Sequence, residues 1–531
     1  MRDLARHQNG ALCVGREMRR RDILLDGALL LAASTVSQIS SVTIAEAQSI
    51  QSQSRLPNII IIWGDDIGWF NVSAFNRGMT GYPTPNIDRL AKEGALFTDW
   101  YGQQNRTAGC GAFITGQSPS RTGLINRILP RSSIGLQAAD PTIAELLKPL
   151  GYMTAHYGQS HLGDHDEHLP TAHGFDEFFG NLYDLNIALE PEDPDYPKNP
   201  DFKRRYGPRG VIKSIAHVRI EDTGPLTNKR METIDDDFTA GALNFVDRAS
   251  RANRPFFLWW NSTHMNVLSR LKPESRDKSG AGLYADGMIE HDAQIGQFLR
   301  QIDDLGISGN TIIMYSTANG AAATASRDSG STPFRVEMDS NSEGGYRVPT
   351  LIRWPNIIRS GLVYNEVFSH EDMLPTLLAA AGVPDIKERL LSGHRADGKT
   401  FKVHLDGYNL MPFLSGDVKE PPRHEFLYFD DDGALIALRF DNWKYVFGEP
   451  SVKLHEPKVL NLKQDPFERV PNDGPDYKRW IMEHSFLLRP AETYLENFAS
   501  SLIAFPPRQN VVGFNLDQVS KELRSDPNER Q

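Results

Sequence analysis

The chain predicts an α/β fold: a large mixed, mainly parallel sheet flanked by helices, with a smaller C-terminal α+β subdomain carrying an antiparallel sheet. Three observations carry this expectation. Residues 58–63 (NIIIIW), 256–260 (FFLWW) and 311–316 (TIIMYS) are continuous β-branched or aromatic runs, the composition of strands buried on both faces of a parallel sheet. Segments of helical spacing alternate with such runs as far as about residue 395, which is the βα alternation of a parallel sheet. Beyond that point the pattern changes to short strands at 425–430, 434–440 and 443–447, joined by turn-forming Asp and Gly, followed by helical residues.

The elements follow in order. Residues 85–94 (PNIDRLAKEG) predict a helix with proline near its start and glycine as its stop. Residues 142–150 predict another helix, and 152–157 a short strand. An amphipathic helix is expected over 287–305, a strand over 348–354, and a helix over 373–382 ending at its glycine. Residues 183–208, rich in Pro, Asp and Lys, have the composition of a long surface excursion. The stretch around which these are arranged is 101–124, YGQQNRTAGCGAFITGQSPSRTGL. Its small residues predict a loop feeding the first turn of a helix, a junction that aims backbone N–H groups at an anion in front of it. There Arg106 and Cys110 stand four residues apart, on one helical face and roughly 5–6 Å apart at Cβ.

With 531 residues the chain is long enough for one large domain plus a smaller one, divided as 57–395 and 396–531. A net charge of −11 argues against nucleic acid or an anionic membrane surface as partner. Two cysteines, Cys13 and Cys110, exclude a disulfide framework. Residues 1–47 have the pattern of an export signal: basic Arg16, Arg19, Arg20 and Arg21, an apolar stretch at 23–36 interrupted by Asp26, then Ala45-Glu46-Ala47 as a cleavage site. The RRRDILL run resembles a twin-arginine signal, so a periplasmic or secreted location is expected, with 48–56 as a linker. The apolar stretch is too short for a membrane-spanning helix, and the mature protein is expected to be soluble.

Ligands of open α/β sheets collect at the carboxyl ends of the strands. Asp65 and Asp66 follow the first strand, Asn319 follows TIIMYS, and His264 follows FFLWWNST. Two adjacent carboxylates at a buried strand end repel unless a cation joins them, and a hard cation is the natural partner. The bland alternative is one Asp capping the next segment while the other faces water. His161, in GQSHLGD, follows a short strand, as either a structural or a functional histidine. Cys110 is either a small buried hydrophobe or a thiol activated by a cation such as Arg106.

Taken together the segments resemble the sulfatase family, within the alkaline-phosphatase-like fold. The likeness runs from about residue 57 to 469 through PNIIIIWGDDIGW, PTPNIDRLAKEGALFTDWYGQQ, AFITGQ, GYMTAHYGQSHLGD, HGFDEFFG, YADGMIEHDAQIGQFL, YSTANG, GGYRVPTLIRWP, HEDMLPTLLAAAG and NLKQDPFER. The resemblance implies sulfuric ester hydrolysis with a calcium ion and a formylglycine made from cysteine in a Cys-x-Pro/Ala-x-Arg pattern. It assigns Asp65, Asp66 and Asn319 to the metal, and His161 and His264 to the active-site histidines. It also exposes departures. Arg106 stands in the slot of the modifiable cysteine and Cys110 in the slot of the arginine. Ile114, not Arg, stands four residues after Cys110, so formylglycine is not expected. Gln159 takes a lysine slot, Ala318 that of a metal-binding aspartate, Met338 that of a second lysine, and Ala322 that of a histidine. The expectation is an arylsulfatase-family protein with little or no sulfatase activity and with calcium binding weakened or absent. In this expectation the Arg106 guanidinium takes the cation position and pairs with Asp65 and Asp66 in a fork. The alternative is an active sulfate- or phosphate-ester hydrolase using Thr107 or a metal-bound water. The expected partner is an anionic small-molecule ester or anion, with neither nucleic acid nor membrane.

Overall fold

Four consecutive isoleucines and a tryptophan leave Asn58–Gly64 without a polar face, and all seven residues of this strand are buried. The computed structural model describes residues 56–265, 270–321, 330–335, 341–449, 452–470 and 474–509; the signal-like segment and most of the linker lie outside them. Among the described residues the main sheet has ten strands. In chain order they are Asn58–Gly64 (β1), Ala95–Phe97 (β2), Met153–Gly158 (β3), Glu177–Gly180 (β4), Ile212–Ile215 (β5), Arg219–Asp222 (β6), Phe256–Asn261 (β7), Thr311–Thr317 (β8), Thr350–Arg353 (β9) and Leu362–Tyr364 (β10). Across the sheet they run β10-β2-β9-β8-β1-β7-β3-β4-β5-β6.

The five strands from β8 to β4 are mutually parallel, so their carboxyl ends emerge along one edge. Strand β9 runs antiparallel to both its neighbours, as does β5, and the edge strand β6 is antiparallel to β5. The sheet is therefore mixed and mostly parallel. Side chains alternate along β1: Ile59, Ile61 and Trp63 enter one core, Ile60 and Ile62 the other. The first core is closed by Arg106–Thr115 (α2), Ile143–Leu147 (α3) and Met373–Ala380 (α6), through Phe113, Leu147 and Leu374. The second is closed by Pro85–Glu93 (α1), Ile234–Arg251 (α4) and Leu283–Asp304 (α5), through Leu90, Phe245 and Phe298. Helices α1, α4 and α5 present one apolar stripe to the sheet, whereas α3 and all of α2 beyond Arg106 are buried on every side.

Glu425–Phe429 (β11), Leu435–Phe440 (β12), Trp443–Glu449 (β13) and Val452–Asn461 (β14) form a sequential antiparallel sheet. Residues preceding it, Phe401, Val403, Leu405 and Leu410 among them, pack into the first core. The small sheet meets the main body through buried charge. Asp99 receives Arg347 at 2.5 Å and Arg439 at 2.8 Å, and Lys444 lies 2.9 Å from Glu343 and 2.8 Å from Glu468. Burial alone would raise the Glu343 carboxyl, but Lys444, Arg347 and Arg439 hold it below the usual carboxylate range.

Two expected elements differ. The helix predicted over 287–305 begins at Leu283, because Tyr284 and Ala285 already face the core. The predicted surface excursion at 183–208 starts inside the protein: Tyr183, Asp184, Leu185 and Ile187 are buried, since Leu185 and Ile187 fill apolar clusters. Among the described residues no helix is long and apolar enough to cross a membrane.

Candidate active site

Three parallel strands deliver the site. At the end of β1 the chain turns sharply, and Asp66 takes a positive φ of 57°, a left-handed conformation that Asp tolerates better than most residues. Ala318 and Asn319 follow β8, and Gln159 and His161 follow β3. Helix α2 begins in front of these ends. Asn105 caps it by accepting the Ala108 N–H at 3.0 Å, and its amide reaches Ile125 O at 2.6 Å and Asp431 at 2.5 Å. This fixes the direction in which Arg106, the first helical residue, leaves the backbone.

The Arg106 side chain is only 11% exposed. Its Nη2 donates to Asp66 Oδ2, its Nη1 donates to Asp184 Oδ1 at 2.6 Å, and its Nε lies 3.9 Å from Asp65 Oδ2. Asn319 donates its amide to Asp66 Oδ1 at 2.9 Å. His161 Nε2 lies 3.0 Å from Asp65 Oδ2, and its Nδ1 lies 3.5 Å from Asp184 Oδ1. Arg127, half exposed, reaches Asp184 Oδ2 at 2.9 Å. Arg106 thus pairs with both Asp65 and Asp66, as expected, but its hydrogen-bonded fork spans Asp66 and Asp184, and Asp65 lies nearer to His161. Asp184 was hidden from sequence reading because it opens a polar, Pro-rich stretch; the apolar Leu185 and Ile187 beside it were the only sign of burial.

Burial favours neutral Asp184, but Arg106, then His161 and Arg127, outweigh it and hold the carboxyl at about 2 against an ordinary 3.8. Burial likewise disfavours the Arg106 charge, and Asp184 and Asp65 more than restore it. A depressed carboxylate contributes stability that is complete above its unfolded value and is lost as pH falls through its folded one. We therefore expect about 2 kcal/mol of stability to disappear between pH 3.8 and about 2, and Asp184→Asn to remove that part of the acid dependence in urea unfolding.

The other expected site residues are distributed differently. Cys110 lies one helical turn below Arg106, 1% exposed in the apolar core, and burial with the nearby Asp65 charge pushes its thiol far up. Ala318 is fully buried and offers no side-chain ligand; its carbonyl accepts Gln103 N–H at 3.1 Å. Gln159 turns its amide to the Tyr183 carbonyl at 2.9 Å. His264 lies 2.9 Å from the Met231 carbonyl through Nε2, with Nδ1 3.5 Å from Asp235 and 4.0 Å from Glu290; these contacts form a cluster of their own. Thr107 is buried at 3% exposure. Met338 and Ala322 lie outside the described residues. The geometry therefore gathers Asp65, Asp66, Arg106, His161 and Asn319, and adds Asp184 and Arg127.

Comparison with known proteins agrees with this architecture. The sulfatase family model matches residues 57–383. Human arylsulfatase A is 31% identical over 447 residues, covering 78% of this chain and 83% of that protein. Human N-acetylgalactosamine-6-sulfatase is 30% identical over 456 residues, covering 78% and 81%. The crystal structure of PsFucS1 sulfatase from Pseudoalteromonas sp. superposes with a TM-score of 0.76 at 25% identity, over 88% of this chain and 95% of that one. This chain belongs to the sulfatase family, and its fold is the alkaline-phosphatase-like fold of that family.

Proposed function

We propose that this sulfatase-family chain does not hydrolyse sulfate esters, and that Arg106 fills the place where the family's cation and nucleophile would act. The ion pairing of Arg106 with Asp66 and Asp184 is the observation that carries this reading. Calcium takes six to eight oxygen ligands. Here the Asp66 oxygens accept N–H groups from Arg106 and Asn319, Asp65 is engaged by His161, and Ala318 supplies no carboxylate. Side chains that present donors to their carboxylates do not fit a second cation at the same point. Cys110 cannot replace the missing nucleophile, because its thiol is buried and stays protonated. Gln159 brings a neutral amide where the resemblance puts a lysine.

Loss of the nucleophile alone can cost roughly a million-fold in rate. The ligand class this reading retains is an anionic small-molecule ester or anion, met on the solvent side by Arg127. The basic and apolar pattern of residues 16–47 supports export to the periplasm or beyond.

The test is turnover of an activated aryl sulfate and, separately, an aryl phosphate by the purified chain. The expected result is no rate above buffer, unchanged by Thr107→Ala; turnover that vanishes with Thr107→Ala would establish the hydrolase alternative instead. Mass spectrometry of the peptide holding Cys110 should find an intact thiol.

A further inference from the structure

We infer that the edge strand β6 pairs with the same strand of a second copy of this chain, about a two-fold axis through Ile220, so that two ten-stranded sheets join into one. Strand β6 is the last of the sheet and is paired on one side, with β5. All four of its residues are exposed, so the described residues leave it uncovered. An edge of this kind presents unpaired N–H and C=O groups along its open side. The hairpin it forms with β5 also carries exposed apolar side chains: Val218 is 73% exposed, Ile220 44% and Ile215 37%.

Charge sets the occupant. Side chains directly opposite one another share a face, and residues of one strand share a face only at even spacing, so a two-fold axis must pass through a residue. With the axis at Ile220, Arg219 faces Glu221 of the second copy and Glu221 faces Arg219 of the second copy, and two opposite-charge pairs close at once. Ile220 then meets its own copy. An axis at Arg219, Glu221 or Asp222 sets a charge against itself, as does parallel pairing in register. Lys213 lies opposite Glu221 within the hairpin, so Lys213, Glu221 and Arg219 of the second copy alternate in sign across the seam. Within one chain Arg219 and Glu221 stand 3.7 Å apart and each is 52% exposed, a pair that water screens. Edges that stay unpaired carry charge that resists a copy of themselves; this one carries both signs, placed evenly about an apolar residue. A seam of four residues per copy falls at the small end of interfaces, below about 1,200 Å², so the dimer is expected to be weak and concentration-dependent.

The experiment is analytical sedimentation of the purified full chain from low to high micromolar concentration. It is run at about 0.15 M salt, where repulsion between two copies of net charge −11 is screened beyond about 8 Å. A monomer–dimer equilibrium is expected. Arg219→Glu and Glu221→Arg should each raise the dissociation constant at least about tenfold, because two attractive cross-strand pairs become repulsive. The double variant restores opposite signs and should recover most of the lost affinity. The substituted side chains are exposed, so the variants keep the fold. Ile220→Cys should form a disulfide-linked dimer on mild oxidation, since paired Cα atoms lie about 4.5–5.5 Å apart, within disulfide range. Val363→Cys, 52% exposed on the opposite edge strand β10, should not. A chain that stays monomeric at every concentration overturns the inference. So does a dimer that both charge reversals leave unchanged, a double variant that recovers nothing, or crosslinking at Val363→Cys as ready as at Ile220→Cys.

Discussion

Lys444→Met should destabilise the protein by about 3–5 kcal/mol, read as a fall in the urea midpoint at unchanged slope. Lys444 is wholly buried, bridges Glu343 and Glu468, and sits 4.4 Å above the Tyr428 ring. Removing the ammonium relieves its own desolvation but leaves Glu468 buried without its cation beside Glu343, which keeps only Arg347. The uncompensated buried charge outweighs the relief. Glu343 also receives Arg347 at 2.9 Å and hydroxyls from Tyr101 and Tyr428 at 2.6 Å, which cannot all move to compensate. The contrast is Lys463, 41% exposed and 3.1 Å from Asp99; Lys463→Met should cost no more than about 1 kcal/mol because water screens that pair. Equal effects at the two lysines would show that the small sheet is not held by its buried charges.

Gly109→Ala should cost about 3 kcal/mol or more, measured by thermal and urea unfolding. A Cβ at Gly109 would stand 2.1 Å from the Ala318 carbonyl oxygen and 2.7 Å from its carbon. Those are backbone atoms just past the end of β8, where the Ala318 carbonyl accepts the Gln103 N–H and the Ala318 N–H donates to the Gly64 carbonyl, and they cannot swing aside as a side chain could. Relief requires α2 to lift from the sheet, which also withdraws Arg106 from Asp66. The acid dependence attributed to Asp184 should therefore shrink in the same variant. A helix-propensity argument gives the opposite sign, since Ala is favoured over Gly by about 1 kcal/mol in a free helix, so the measurement separates the two effects cleanly.

Much of the fold was legible because the central strands are buried on both faces and so carry unbroken apolar runs: β1, β7 and β8 begin and end within a residue of where NIIIIW, FFLWW and TIIMYS place them. Strand direction was not. Nothing in VPTLIRW marks β9 as antiparallel to β8, because direction is decided by the connection and not by the strand's own side chains. Strand β14 escaped notice because VKLHEPKVLN interleaves charge and a proline with its apolar residues. The site divides in the same way. Residues following a recognisable strand, Asp65, Asp66, His161 and Asn319, could be placed by position alone. Asp184 could not, since its role depends on a partner 78 residues away, and a carboxylate in a polar stretch ordinarily faces water.

The Arg106 guanidinium is anchored to its own backbone, which alters how the pocket answers its surroundings. A dissociable ion is present in proportion to its supply, and a protein that depends on one melts lower when it is chelated. A charge carried by the chain has no such supply to exhaust. Under the proposed function, dialysis against EDTA should leave the melting curve of this protein unmoved, and dilution should do no more; a fall in the melting temperature on chelation would show that an ion is held after all.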